Sequence, residues 1–359
     1  PGAARSVSLP ERVMPAMNGE RPVRLALIGL GMAAKPHLEA LSDRGRGIEV
    51  AGVFNRSRAK AESVAESGSY PVFDSLEQIA ADPGVDGIIL ATPPDQRAEI
   101  VGMMARAGKH ILMEKPVERT VSAAQGLVET CERQDVHLGI VLQHRFRAGV
   151  RHLRALVEDG ALGEIGLVRV EVPWWRGQDY YDQPGRGTHA RDGGGVLISQ
   201  AIHPLDLMLH LAGPVVSVQA MCATTSLHRM EAEDFATAGL RFASGAVGSI
   251  VATTASYPGA AESITLDGSL GTAVLRAGQL TVSWRNGRRE ESGEPAASGG
   301  GADPMAFPCD WHKAVIDDFA AAIRDNRPPA ITGREALKVQ VLIDAITRSS
   351  QRGGILQMG

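Results

Sequence analysis

Four stretches of this 359-residue sequence have residue types and spacings suited to chemistry. The first is Glu114-Lys115-Pro116, which follows an apolar run over 110–113. A lysine at the C-terminal end of a parallel strand points into the crevice where doubly wound folds bind ligands. A lone lysine is more often a solvated charge, so position rather than residue type singles out Lys115. The second is Gly193-Gly194-Gly195-Val196-Leu197-Ile198-Ser199-Gln200-Ala201-Ile202-His203-Pro204-Leu205-Asp206. Read as one helix, it places Leu197, Ala201, Leu205 and Leu209 on one face and Ser199, His203, Asp206 and His210 on another. A surface helix fills its polar face with Lys, Glu and Arg, whereas Asp206 is the only formally charged residue from Gly193 to Leu227. The helix is therefore expected to be buried, with its polar stripe lining a site. The competing reading makes His203 a core histidine satisfied by a neighbour. Pro204 removes one helical hydrogen bond and predicts a kink beside His203.

The third stretch runs from Trp174 to His189. It holds Trp174, Trp175, Tyr180 and Tyr181, half of the chain's Trp (4) and Tyr (4) residues, together with Arg176, Gln178, Asp179, Asp182 and Arg186. Aromatic faces interleaved with Arg, Asp and Gln suit a polyhydroxylated ligand, whose CH faces stack while its hydroxyls bond. The same composition suits a subunit interface, and the segment supports both readings equally.

The fourth is Gly29-Leu30-Gly31-Met32-Ala33-Ala34, directly after an apolar run over 23–28 and opening a helical stretch through Leu38 and Leu41. Two glycines permit a tight turn and close backbone approach to a pyrophosphate, which rests on the helix N-terminus. In this strand–loop–helix context the pattern predicts dinucleotide binding rather than a merely structural turn. About 20 residues further on, an acid usually meets the adenine ribose of NAD. Here the position is Asn55, followed by Arg56 and Arg58. Asparagine does not repel a 2′-phosphate and a guanidinium can pair with one, which slightly favours NADP over NAD. Alternatively, Arg56 and Arg58 are solvated side chains opening a helix.

Positioning these residues requires two architectures. Strands over 23–28, 48–54, 85–91, 110–113 and 136–142 alternate with helical stretches, among them 58–66, 96–107 and 121–133. Such alternation indicates parallel βαβ units and predicts one doubly wound Rossmann domain over 22–143. From 144 to 359 the pattern changes, with strands over 165–172, 215–223, 235–242, 246–254, 262–266 and 279–284 joined by short turns. That predicts a large, mostly antiparallel open sheet, followed by closing helices over 311–324 and 334–349. Residues 286–305 read as a mobile loop. Residues 1–21 hold scattered charges and three prolines, without the apolar stretch of a secretion signal, and read as a flexible arm.

Composition narrows the function classes. The charges nearly balance (Lys+Arg 37, Asp+Glu 41, net −4) with no basic block, so neither nucleic acid nor a membrane surface is the expected partner. No stretch reads as a membrane span. The 3 cysteines lie far apart, which predicts neither a disulfide scaffold nor a metal site and fits a reducing cytoplasm.

With these motifs assembled, the chain resembles the Gfo/Idh/MocA family of oxidoreductases, which includes glucose–fructose oxidoreductase and inositol 2-dehydrogenase. The resemblance runs from about Val23 to the C-terminus. It rests on the Gly29–Ala34 fingerprint, Ala91-Thr92-Pro93, Ala107-Gly108-Lys109-His110, Glu114-Lys115-Pro116, Leu162-Gly163-Glu164-Ile165, the Gly193–Asp206 segment and Glu262-Ser263-Ile264. It implies a Rossmann domain paired with an α/β domain on an open sheet, assembled as a homodimer or homotetramer. It implies reversible hydride transfer between a secondary hydroxyl of a sugar, sugar derivative or cyclitol and the nicotinamide C4. By this resemblance Lys115 is the catalytic lysine, His203 the second acid/base, and Ser199 stands where many members carry an acid and some Asn. A mechanism needing that carboxylate would have to draw on Asp206, Asp179 or Asp182. Arg97 stands where a histidine is common.

The cofactor is then expected at Gly29, Gly31, Met32, Ala33, Asn55, Arg56, Thr92, Pro93, Glu114 and Gln143. The substrate is expected at Trp175, Arg176, Tyr180, Tyr181 and Arg186. Two other functions follow from the same resemblance: glycoside cleavage through transient NAD-dependent oxidation, and a dinucleotide-sensing regulator without catalysis.

Overall fold

The computed structural model describes residues 21–42, 47–296 and 308–358. All but Arg21 of the expected arm, and residues 297–305 of the expected loop, lie outside the described residues.

The alternating half forms the strands β1 (Val23–Ile28), β2 (Ile48–Phe54), β3 (Gly87–Leu90), β4 (His110–Glu114) and β5 (Leu138–Val141), all parallel in the order β2-β1-β3-β4-β5. β3, β4 and β5 are buried along their whole length. Their apolar runs are uninterrupted because helices cover both faces. The helices between them are α1 (Ala34–Leu41), α2 (Arg58–Gly68), α3 (Leu76–Ala81), α4 (Arg97–Arg106) and α5 (Val121–Arg133). The order reverses between β1 and β3, the switch point where such sheets open a crevice at their C-terminal edge.

The second half contributes α6 (Ala148–Glu158), β6 (Ile165–Pro173), α7 (Gln178–Tyr181), α8 (Val196–Ser199), α9 (Ile202–Ala212), β7 (Val215–Ala223), β8 (Phe235–Phe242), β9 (Val247–Thr253), β10 (Ser263–Gly268), β11 (Gly271–Arg276), β12 (Gln279–Trp284), β13 (Arg289–Ser292), α10 (Asp310–Asp325), α11 (Gly333–Arg352) and β14 (Leu356–Gln357). Among the described residues these strands make one nine-stranded sheet, β13-β12-β11-β10-β6-β9-β8-β7-β14, antiparallel except where β6 meets β9. α9 and α11 cover one face, with Val168, Val170, Val172, Ile250, Ile264 and Leu266 in the core between. The other face is open and carries Leu167, Val216, Met221, Val247 and Val251 as exposed apolar side chains.

Three expectations need correction. The segment over 286–305 is not a loop throughout, since Arg289–Ser292 pairs with β12 as a strand. α10 comes from the second half of the chain, yet Val315, Phe319 and Ile323 join the core around Leu25, Leu27 and Leu112 of the first sheet. The single helix expected over Gly193–Asp206 is two helices, α8 and α9, separated at Gln200 and Ala201. Pro204 explains the break, because it lacks the N–H that Gln200's carbonyl would accept in a continuous helix and its ring crowds that carbonyl. The interruption therefore falls four residues before the proline.

Candidate active site

The C-terminal edge of the first sheet faces the loops after β6, leaving an open cleft with a cavity volume of about 270 Å³. Gly31, Met32, Ala33, Thr92, Pro93, Glu114, Lys115 and Gln143 line one wall, and Trp174, Arg176, Tyr180, Arg186, Ser199 and His203 the other.

The first wall is shaped by backbone. Gly29 adopts φ +89°, and a Cβ there would lie 2.8 Å from Thr92 Cγ2. The turn thus requires glycine for its conformation and for its packing on the next strand end. A Cβ at Gly31 would meet no protein atom within 4 Å, so this glycine leaves room in the cleft itself. Thr92 Oγ1 and Gln143 Oε1 are buried without a hydrogen-bond partner among the described residues. An open glycine cradle at a helix start and unmet polar atoms beside it fit a dinucleotide lying across this edge. Asn55 stands behind the loop: its Oδ1 accepts the Leu30 N–H at 3.1 Å, and its Nδ2 donates to the Ser57 carbonyl at 3.3 Å. Arg56 is exposed, and Arg58 pairs with Glu62 and Asp74.

Arg97, singled out in the sequence only as a departure, is 2% exposed. It donates twice to the Thr92 carbonyl (3.1 and 2.8 Å), to the Glu114 carbonyl at 2.5 Å and to the Pro116 carbonyl. It ties together the two strand ends that flank the cleft. Burial pushes its guanidinium down to about 10, so it remains cationic at neutral pH.

Lys115 leaves the end of β4 with partial solvent access through the cleft, while its Nζ lies deep and donates to the Ser199 backbone carbonyl at 2.7 Å. Burial brings the ammonium down to about 8; Glu114 opposes the shift, and Arg186, Arg97 and Arg176 add to it. Glu114 itself turns to His37 on α1, with Oε1 2.8 Å from Nε2, and lies 3.8 Å from His312 Nε2 on α10. Burial would raise this carboxyl, but the His37 hydrogen bond and nearby positive charge outweigh it and hold it well below the usual range. The ligand atoms of His37, Glu114 and His312 all lie within 4.8 Å of one another, a grouping the sequence did not reveal. The 2.8 Å contact is a hydrogen bond that fixes an ionised carboxylate behind Lys115.

Opposite, His203 is buried in the first turn of α9 and stacks on His144, with ring centroids 4.4 Å apart. Burial, then the charges of Lys115 and Arg147, keeps His203 well below its usual pKa, so it is neutral at neutral pH. His144 Nε2 lies 2.7 Å from Arg147 Nη2. Arginine can only donate, so His144 accepts at Nε2 and carries its proton at Nδ1. Arg147 is held in turn by Glu262 at 2.8 Å and by the Trp311 ring at 4.1 Å.

The polar stripe read from the sequence divides. Ser199 and His203 reach the cleft, whereas Asp206 is buried away from it and binds Arg145 at 2.8 and 2.5 Å. Asp206 therefore cannot replace an acid at position 199, and Asp179 and Asp182 are exposed outside the lining. Among the expected substrate residues, Arg176, Tyr180 and Arg186 line the cleft, but Trp175 and Tyr181 do not. Tyr181 bonds Thr254 Oγ1 at 2.6 Å beneath the surface, and Trp175 packs on His228 and Tyr257. Trp174 takes the place expected of Trp175. The period-two alternation Val168-Val170-Val172-Trp174-Arg176, with every member buried, carries this signal.

Residues 23–141 match the model of an oxidoreductase family described as having an NAD-binding Rossmann fold, and residues 150–274 match a GFO/IDH/MocA C-terminal domain. The chain is 31% identical to the WlbA dehydrogenase from Bordetella pertussis, whose crystal structure is in complex with NADH and UDP-GlcNAcA; the match covers 94% of this chain and 99% of that one, with a TM-score of 0.81. It is 27% identical over 339 residues to the inositol 2-dehydrogenase of Rhizobium meliloti, covering 91% and 96% of the two chains. It is 24% identical over 350 residues to the D-apiose dehydrogenase of Rhizobium rhizogenes, covering 93% and 97%.

Proposed function

The chain belongs to the Gfo/Idh/MocA family of NAD-binding oxidoreductases, and from that premise we propose that it oxidises a secondary hydroxyl of a sugar, sugar derivative or cyclitol. The observation that carries this reading is Lys115, an ammonium brought down to about 8 at the strand end beside the open glycine loop. Bound NAD(P) supplies the hydride acceptor. Loss of hydride from the carbinol carbon must be matched by loss of the hydroxyl proton, and neutral Lys115 Nζ takes it. A carboxylate at position 199 would raise the lysine; a peptide carbonyl as its partner leaves it a base near neutrality. Neutral His203, across the cleft, is the second group able to accept a proton.

At the adenosine end, Asn55 bears no charge against a 2′-phosphate and exposed Arg56 is adjacent. This supports NADP, slightly over NAD, although the WlbA relative is recorded with NADH. The exposed apolar side chains on the open sheet face support docking of a second copy of the chain, as a homodimer or homotetramer. Among the described residues no helix is long and apolar enough to cross a membrane, and the three free cysteines fit action in the cytoplasm.

The test is reduced-cofactor formation from NAD and NADP against sugars, sugar acids, cyclitols and nucleotide sugars. Lys115→Ala should lower turnover by roughly 100-fold or more while leaving cofactor affinity nearly unchanged. Cofactor binding without turnover across the whole panel would move the reading to a dinucleotide sensor.

A further inference from the structure

Glu233 stands outside the cleft lining, just before β8, yet it holds the segment that meets Lys115. Glu233 accepts three successive N–H groups at the start of α8. Its Oε2 takes the Gly195 N–H and its Oε1 the Leu197 N–H, both at 3.1 Å, and its backbone carbonyl takes the Val196 N–H at 2.8 Å. The two segments touch so closely that a Cβ on Gly195 would lie 1.7 Å from the Glu233 carbonyl oxygen. Glu233 is itself anchored to the large sheet. The next residue, Asp234, donates its N–H to the Ala223 carbonyl at 3.2 Å and accepts the Thr254 N–H at 2.9 Å. β8 then pairs with β7 and β9 along its length.

α8 has only 4 residues, too few to hold a helical shape alone. Gly195 at its N-cap has no side chain to meet the N–H groups exposed there, and Glu233 supplies those acceptors. At the other end of this single turn, the Ser199 carbonyl accepts Lys115 Nζ at 2.7 Å. One helical turn therefore connects the acid to the amine, with little between them to absorb a displacement. We propose that Glu233 is a positioning residue for the reaction: by fixing the start of α8 it fixes the Ser199 carbonyl, and through it Lys115 Nζ. This rests on the dehydrogenase reading for the role of Lys115. Glu233 does not line the cleft, so its effect passes through the α8 backbone rather than through contact with a ligand.

Competitive acetylation of Lys115 in the full chain with acetic anhydride, followed across pH by mass spectrometry, reads its protonation without requiring turnover. The pH profile of kcat/KM is read beside it with glucose, inositol, glucuronate and UDP-glucuronate as probes. In Glu233→Gln one oxygen serves one N–H, and the amide NH2 opposes the other. A carbonyl bonded to an ammonium favours the charged form, so a displaced Ser199 carbonyl lets Lys115 lose its proton more easily. The Lys115 midpoint should fall from the wild-type value of about 8 by about half to one pH unit, the scale of one hydrogen bond. The acid limb of kcat/KM should move with it, and kcat should fall about tenfold or more through misplacement of the base. Glu233→Asp keeps the charge but is one methylene short, so it should shift the midpoint in the same direction. It also serves as the second variant should Glu233→Gln fail to fold. Asp234→Asn removes the adjacent charge while keeping an acceptor for the Thr225 N–H, and should leave the midpoint in place. A wild-type midpoint in both Glu233 variants would overturn the proposal. Full recovery in Glu233→Asp, or an equal shift in Asp234→Asn, would also overturn it, by making the effect one of charge or general loosening. A midpoint that shifts as expected in a protein oxidising none of the probes would keep the coupling of Glu233 to Lys115 and sink the dehydrogenase reading. Turnover with a pH limb indifferent to Glu233 would do the reverse.

Discussion

The two walls of the cleft are built by different means. On the first sheet the working surface is mostly backbone: a glycine turn, strand ends and a helix start, tied by Arg97 to the carbonyls of Thr92, Glu114 and Pro116. On the other side it is mostly side chains: Trp174, Arg176, Tyr180, Arg186 and His203, brought from the segment after β6, α7, the following loop and α9. A ligand shared by a whole class of enzymes can be recognised by fixed backbone. A ligand that varies between relatives is more readily matched by exchangeable side chains.

Substitutions at each wall should therefore separate cleanly. The largest effect is expected at Gly31. A Cβ there meets only open cleft, so Gly31→Val should leave the melting temperature nearly unchanged. By blocking one or two charge-assisted contacts to a pyrophosphate, it should weaken cofactor binding by about 100-fold. Equal binding in the variant would show that the cofactor does not cross this loop. The opposing wall should answer differently. Removing the Tyr180 ring with Tyr180→Ala should raise the substrate KM by roughly tenfold, near the upper end of an aromatic contact, with the cofactor dissociation constant unmoved. A change in cofactor affinity instead would collapse the distinction between the walls. The smallest effect is expected at Asn55→Asp. Aspartate keeps the acceptor for the Leu30 N–H and adds only charge, so the NADP-to-NAD affinity ratio should fall by several-fold. An unchanged ratio would mean that Asn55 acts only as a brace for the glycine loop.

The same contrast decides what the sequence made legible. Backbone-built features leave contiguous marks, so the parallel sheet, the Gly29–Ala34 turn and the position of Lys115 were readable. Side-chain-built features do not. Trp174 and Trp175 are neighbours of one residue type, and only the strand's alternation assigns the first of them to the cleft. Arg97 binds carbonyls, which no side-chain pattern records, so its bracing role became visible only in three dimensions. The Ser199–His210 stripe assumed an unbroken helix. Once Pro204 interrupts it, Ser199's carbonyl goes to Lys115, and Asp206 is buried against Arg145 instead of facing the site.

The central claim is that Lys115 works as a base near neutrality, and the pH dependence of kcat/KM for polyol oxidation tests it most directly. Lys115 sits at about 8, so it is protonated and unable to accept the hydroxyl proton at lower pH. Activity should rise about tenfold per pH unit below that point and level off above it. In Lys115→Ala the residual activity should lose this limb. A wild-type profile that is flat across this range, or an identical limb surviving in the variant, would contradict the account.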